Sequence, residues 1–214
     1  MSKSLLVTRP NHDEPTNYLY HWSQSVIDET KRKQIPVYDL FGKKAIRTTF
    51  ISYMQSRHPR LLFFNGHGDA EHILGWDNDI LLKATDSNLI SQAIVFARNC
   101  DSARTLGPTL VRKGIAAFIG YTRKFVFFTI KAKVSKPLED KLARLFLGPS
   151  NLIPTTIIKG HSARVAYDRS RQEMIKNFRK MIKSTASFEE RYASRWLWSD
   201  IRSQVLLGDK NARF

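Results

Sequence analysis

The sequence predicts an α/β fold, a mostly parallel central sheet with helices on both faces, and three observations predict it. Short apolar runs rich in β-branched and aromatic residues recur between Gly, Pro and Asn, as buried strands require. Longer stretches between them return their apolar residues at helical spacing. The two kinds alternate from the start of the chain, which implies parallel strands joined by right-handed crossovers whose helices cover the sheet. With 214 residues, the chain fits a single domain over 1–214 that buries about 70% of the surface its unfolded form exposes.

The first strand is Ser4-Leu5-Leu6-Val7-Thr8, closed by Arg9-Pro10-Asn11. A helix over 16–33 follows, capped by Thr16, with Leu19, Trp22 and Val26 on one face. Residues 35–40 make the second strand, and Pro36 stands near its start, where a strand tolerates the missing donor. The stretch 44–57 carries Ile46, Phe50, Ile51 and Met54 on a helical face and stops at Pro59. Leu61-Leu62-Phe63-Phe64-Asn65 is the third strand and runs directly into Gly66-His67-Gly68-Asp69. Residues 71–82 have turn residues between two apolar pieces and predict a hairpin.

Ile94 to Ala97 is the next buried strand, and it ends abruptly at Cys100. Ser102 is placed to cap a helix that runs through Leu106, Leu110 and Val111 to Gly114. Residues 115–119 form a further strand, and the apolar run Phe125-Val126-Phe127-Phe128 reads equally as a core strand or as the wall of a crevice. A helix over 135–147 closes at Gly148-Pro149, and a longer basic helical region covers 155–183. Residues 205–209 end the pattern as a last strand.

Composition bounds the chemistry. One cysteine excludes an internal disulfide and a multi-cysteine zinc site, and it suits a reducing compartment. No apolar run approaches the ~20 residues a membrane span needs, and the reading is of a cytoplasmic protein. Lys and Arg number 35 against 19 Asp and Glu, a net charge of +16. Such a surface attracts polyanions, but the basic residues are spread along the chain without the interleaved aromatics of a single-strand binder, so nucleic acid is not favoured as a partner. No metal and no cofactor is expected.

Cys100 stands where a strand hands over to a helix, at the open carboxyl edge of the sheet. Helix amides and the positive end of the dipole would there favour thiolate over thiol. The plain alternative is a small buried hydrophobe. His67 arrives at a second strand end between two glycines, which allow close backbone approach and unusual dihedrals. If the two strands lie side by side, cysteine and histidine form a dyad. His72 is the competing histidine, inside the hairpin and without flanking glycines. Asp69 and Glu71 receive no role, and His12, His21, His58 and His161 have no framing that singles them out.

Phe63-Phe64-Asn65-Gly66-His67-Gly68, then Ala97-Arg98-Asn99-Cys100-Asp101-Ser102-Ala103, then Gly114-Ile115-Ala116-Ala117-Phe118-Ile119-Gly120 together resemble the caspase-like (clan CD) cysteine peptidases, nearest to prokaryotic gingipain-like and CHAT-type members. The resemblance implies a caspase-like three-layer sandwich and a cysteine endopeptidase that cleaves a protein or peptide substrate through an acyl-enzyme. Cys100 would attack, His67 would act as acid and base, and the amides of Gly68 and Cys100 would hold the oxyanion. It also implies a regulated effector protease, switched on by a separate sensor or activator chain or by processing of this one. In several such families the residue two before the nucleophile lines the primary pocket; here it is Arg98, which would select an acidic substrate residue. The opposing reading places Asp101 or Asp69 at the pocket floor and restores a basic preference; Tyr121 and Arg123, at a strand end beside the dyad strand, read equally as substrate wall or as an ordinary core strand and basic loop. A rival from another class is a catalytically idle binding module that acts through its basic surface.

Overall fold

Strand alternation decides which side chain enters which layer. The computed structural model describes residues 3–214. Its sheet is built from β1 (Leu5–Arg9), β2 (Val37–Phe41), β3 (Leu61–Asn65), β6 (Ile94–Arg98), β7 (Ala117–Tyr121) and β8 (Gln204–Gly208), in the order β2-β1-β3-β6-β7-β8. The first five are parallel, and β8 pairs antiparallel with β7. A separate hairpin is formed by β4 (His72–Leu74) and β5 (Ile80–Lys83). This is the predicted architecture, with one edge strand reversed.

One face takes Leu5, Val7, Leu61, Phe63, Ile94 and Phe96. Against it pack α1 (Glu14–Trp22), α2 (Gln24–Arg32), α5 (Lys141–Ile158) and α6 (Ala163–Met181). The other face takes Leu6, Leu62, Phe64, Val95 and Phe118 under α3 (Arg47–Arg57), α4 (Leu106–Arg112) and the hairpin. A satellite core joins α5 and α6 to α7 (Phe188–Ser203) through Phe146, Met174 and Leu197. Among the described residues no helix is long and apolar enough to cross a membrane.

The helices depart from expectation where side chains capture backbone groups. The single helix expected over 16–33 is two, separated at Ser23. There the Tyr20 carbonyl accepts from Arg9 Nη1 at 3.1 Å, and the Trp22 carbonyl accepts from Asn151 Nδ2 at 2.7 Å, so the helical ladder is diverted. The helix predicted to close at Gly148-Pro149 instead runs on to Ile158. Pro149 offers no N–H to the Leu145 carbonyl, but Asn177 Nδ2 donates to that oxygen at 2.9 Å and keeps the turn satisfied. The break falls later, at Gly160 (φ 87), before Ser162 caps α6. Residues 125–128 are not a strand, because β8 takes the place beside β7; they lie in the connection that leaves it.

Candidate active site

β3 and β6 deliver the histidine and the cysteine. The last registered pair of these neighbouring parallel strands is Asn65 with Arg98. His67 and Cys100 each come two residues later, so both emerge at the carboxyl edge, where an open α/β sheet forms its crevice. Asn99 ties the two turns together. Its Nδ2 donates to the His67 carbonyl at 3.4 Å, and its Oδ1 accepts from Ser102 Oγ at 2.6 Å. Asn99 is buried, which shields both bonds from water.

The glycines around His67 meet separate needs. Gly66 has φ 139, a dihedral that a side chain would strain. At Gly68 an added Cβ would lie 2.2 Å from Asn99 Nδ2, so its absence makes room for the tie. Gly68 bridges Ile73 in a pair flanked by bonds from Leu74 N–H to the His67 carbonyl and from Asp69 N–H to the His72 carbonyl. In that geometry the Gly68 N–H points away from the hairpin.

The chain leaving β1, on the other side of β3, supplies a third group that sequence reasoning missed. Asp13 caps α1, where Thr16 was expected to do so; Thr16 is its partner in a capping box. Asp13 Oδ1 accepts from the Thr16 N–H at 2.9 Å, and Oδ2 lies 2.6 Å from His67 Nε2. Burial pushes the Asp13 carboxyl up, but the bonds from Thr16 and His67 outweigh it and hold the group below the usual carboxylate range. His12 stands alongside, its Nε2 3.8 Å from Asp13 Oδ2. One donor atom from each of His12, Asp13 and His67 lies within 4.8 Å of the others. The signal was topological: residues just past β1 arrive beside those just past β3.

The thiol is in a different state from the one expected. Residues 101–105 form turns and α4 begins only at Leu106, because Ser102 bonds Asn99 instead of capping a helix. No helix N-terminus therefore reaches the sulfur. Cys100 Sγ lies 3.9 Å from the Phe125 carbonyl. Burial pushes the thiol up, with Asp101 adding to it and Lys124 opposing.

Arg98 does not line a pocket. It continues the face of Ile94 and Phe96, which α1, α2 and α5 cover, and it is 0% exposed. Its Nε donates to Asn65 Oδ1 at 2.9 Å, its Nη1 to Asn151 Oδ1 at 2.8 Å, and its guanidinium lies 5.0 Å from the Phe63 ring centroid. Burial lowers its pKa to about 9, which still leaves the cation intact at neutral pH. Arg98 is a strut beneath the site, so the acidic preference argued from it loses its basis. Tyr121 is likewise fully buried, its hydroxyl accepting from Gln204 Nε2 at 3.1 Å, and forms no substrate wall.

Asp101 and Arg123 do meet beside the cysteine, through an Asp101 N–H to Arg123 carbonyl bond of 3.1 Å. Asp69 accepts from the backbone N–H groups of Glu71 and His72 and lies 3.1 Å from His72 Nδ1. It orders the hairpin histidine, not His67. Next to Asp13 and Phe125, a groove of about 260 Å³ is lined by Glu14, Pro15, Val126, Phe127 and Thr129.

No family model matches the sequence, and no curated protein sequence matches it. Solved structures do match the fold. The complex of the pro- and mature domains of RgpB from Porphyromonas gingivalis superposes with a TM-score of 0.63 at 9% identity, over 98% of this chain and 48% of that one. The Arg-specific cysteine proteinase gingipain R (RgpB) gives 0.65 at 8% identity, over 99% and 47%. A structure described as a protease gives 0.52 at 11% identity, over 99% and 48%. The chain spans about half the length of each. At such identities the likeness is one of architecture, and it shows that this chain has the caspase-like α/β fold of the gingipain structures.

Proposed function

We propose that the protein is a cysteine endopeptidase of one domain over 1–214, with Cys100 as nucleophile and His67 as acid and base. The observation that carries this reading is the delivery of both residues on paired neighbouring strands, with Asn99 tying their turns together. Asp13 is a positioning residue: it holds His67 Nε2, which leaves Nδ1 to exchange a proton with the thiol. Attack of the sulfur on a scissile carbonyl forms a tetrahedral oxyanion, for which the Gly68 and Cys100 N–H groups are the donors. Its collapse expels the amine with a proton from His67, and water, deprotonated by His67, then releases the acyl group.

The contact of the sulfur with the Phe125 carbonyl and the upward push of burial on the thiol support a resting state. Activation requires the 122–130 connection to move off the sulfur, which is the step a sensor or activator chain would drive in a regulated effector protease. Cys100→Ala and His67→Ala are each expected to abolish peptide cleavage and covalent trapping by a peptide electrophile while the fold persists. Asp13→Asn is expected to lower kcat on the order of 10²-fold or more with KM little changed. His72→Ala should be mild, and its complete loss of activity in a folded protein would transfer the role from His67.

A further inference from the structure

We propose that His12, Asp13 and His67 form a binding site for a divalent transition-metal ion of the zinc class. Two imidazoles and one carboxylate are the donor set that such an ion prefers. The three donors lie within 4.8 Å of one another. A tetrahedral zinc with bonds of ~2.0–2.1 Å sets its donors about 3.3 Å apart, so small rotations of the rings close the site around an ion. Asp13 Oδ2 and His67 Nε2 would separate slightly from their present 2.6 Å, and His12 would move in.

The observation that points to a ligand is His12 Nε2. It is buried and has no hydrogen-bond partner, although it lies only 3.8 Å from the Asp13 carboxylate. A buried imidazole nitrogen without a partner costs free energy, and a bound ion would satisfy it. The ring is fixed edge-on to Trp76, with centroids 5.5 Å apart. Its Nδ1 meets the Asp77 N–H at a long 3.4 Å; that contact is given up when Nε2 ligates, because the proton then resides on Nδ1. The ion enters from the side of Asp13 and His67, whose side chains are 37% and 35% exposed. The fourth position faces the crevice and is left to water.

Ion binding and acid–base use of His67 exclude each other. That consequence alone rests on the peptidase reading: Zn²⁺ would inhibit cleavage without touching the sulfur.

The test is calorimetric titration of the chelator-washed full chain with Zn²⁺, with one ion bound per chain expected. His12→Ala and His12→Asn should each weaken binding by at least the ~10–100-fold that even outer-shell partners of a metal carry; His12→Asn keeps an acceptor for the Asp77 N–H and guards against a folding defect. Cys100→Ala should bind as the parent does, and Mg²⁺ should not compete. Undiminished binding in both His12 variants, or its loss in Cys100→Ala, overturns the site. The titration decides the metal site whether or not the chain cleaves peptide, so a failure of the site and a failure of the peptidase reading are told apart.

Discussion

Asp200 offers a measurement of how the molecule holds its resting state. Its carboxyl is fully buried near the end of α7. Oδ1 accepts from the Val126 N–H at 3.2 Å, which pins the connection that touches the sulfur, and Oδ2 is buried without a partner. Burial therefore raises its pKa well above the carboxylate range. Below the unfolded value of about 3.9 both states hold the proton and the group has no effect on stability. As pH rises past that value only the unfolded chain ionises, and stability falls by ~1.4 kcal/mol per pH unit until the folded value is reached. Asp200→Asn keeps an oxygen for Val126 and has no proton to lose. Urea unfolding monitored by tryptophan fluorescence at pH 4, 5 and 6 should show the variant gaining on the parent as pH rises, since every other carboxyl titrates in both proteins and cancels. A gap that stays constant with pH would refute the reasoning, because it would mean that Asp200 is ionised in the fold.

Two further outcomes test the site. Gly68→Ala should drive Asn99 off the His67 carbonyl, since the new methyl would sit 2.2 Å from Asn99 Nδ2 and 3.0 Å from the His72 carbonyl; overpacking of this kind costs ~1–3 kcal/mol, and peptide cleavage should fall with it. Alkylation of Cys100 by iodoacetamide should have its pH midpoint above that of the same thiol in the urea-unfolded chain, because burial raises the folded value; a lower midpoint in the folded protein would show a thiolate that the structure does not support.

The sheet was legible because buried strands need an unbroken apolar run, and 61–64 and 94–97 are such runs. His67 and Cys100 were legible for the same reason: each apolar run stops, and the residues just past its end lie at the sheet edge. Arg98 was misread because alternation fixes which face a side chain takes but not what covers that face. Asn151 and Asn65, distant in sequence, turned a candidate pocket cation into a core strut. Asp13 escaped notice because its role depends on β1 lying beside β3, and strand order is set by the tertiary fold. The run through Pro149 depended on one amide, Asn177, from another helix. Each miss concerns a polar side chain whose partner lies far along the chain, where local pattern carries no information.

The antiparallel pairing of β8 with β7 has a consequence in time. Once Tyr121 has been made, all the parallel strands and both candidate catalytic residues exist, yet β7 has an unpaired edge and Arg98 lacks its Asn151 partner. At synthesis rates of ~5–20 residues per second, the stretch from there to Gly208 takes about 4–17 s. Through that interval the strand bearing the nucleophile rests on an unfinished foundation, and an open edge of this kind is what chaperones and aggregation compete for. Synthesis of α5 and β8, more than local folding, therefore sets the moment at which the cysteine and histidine take their positions.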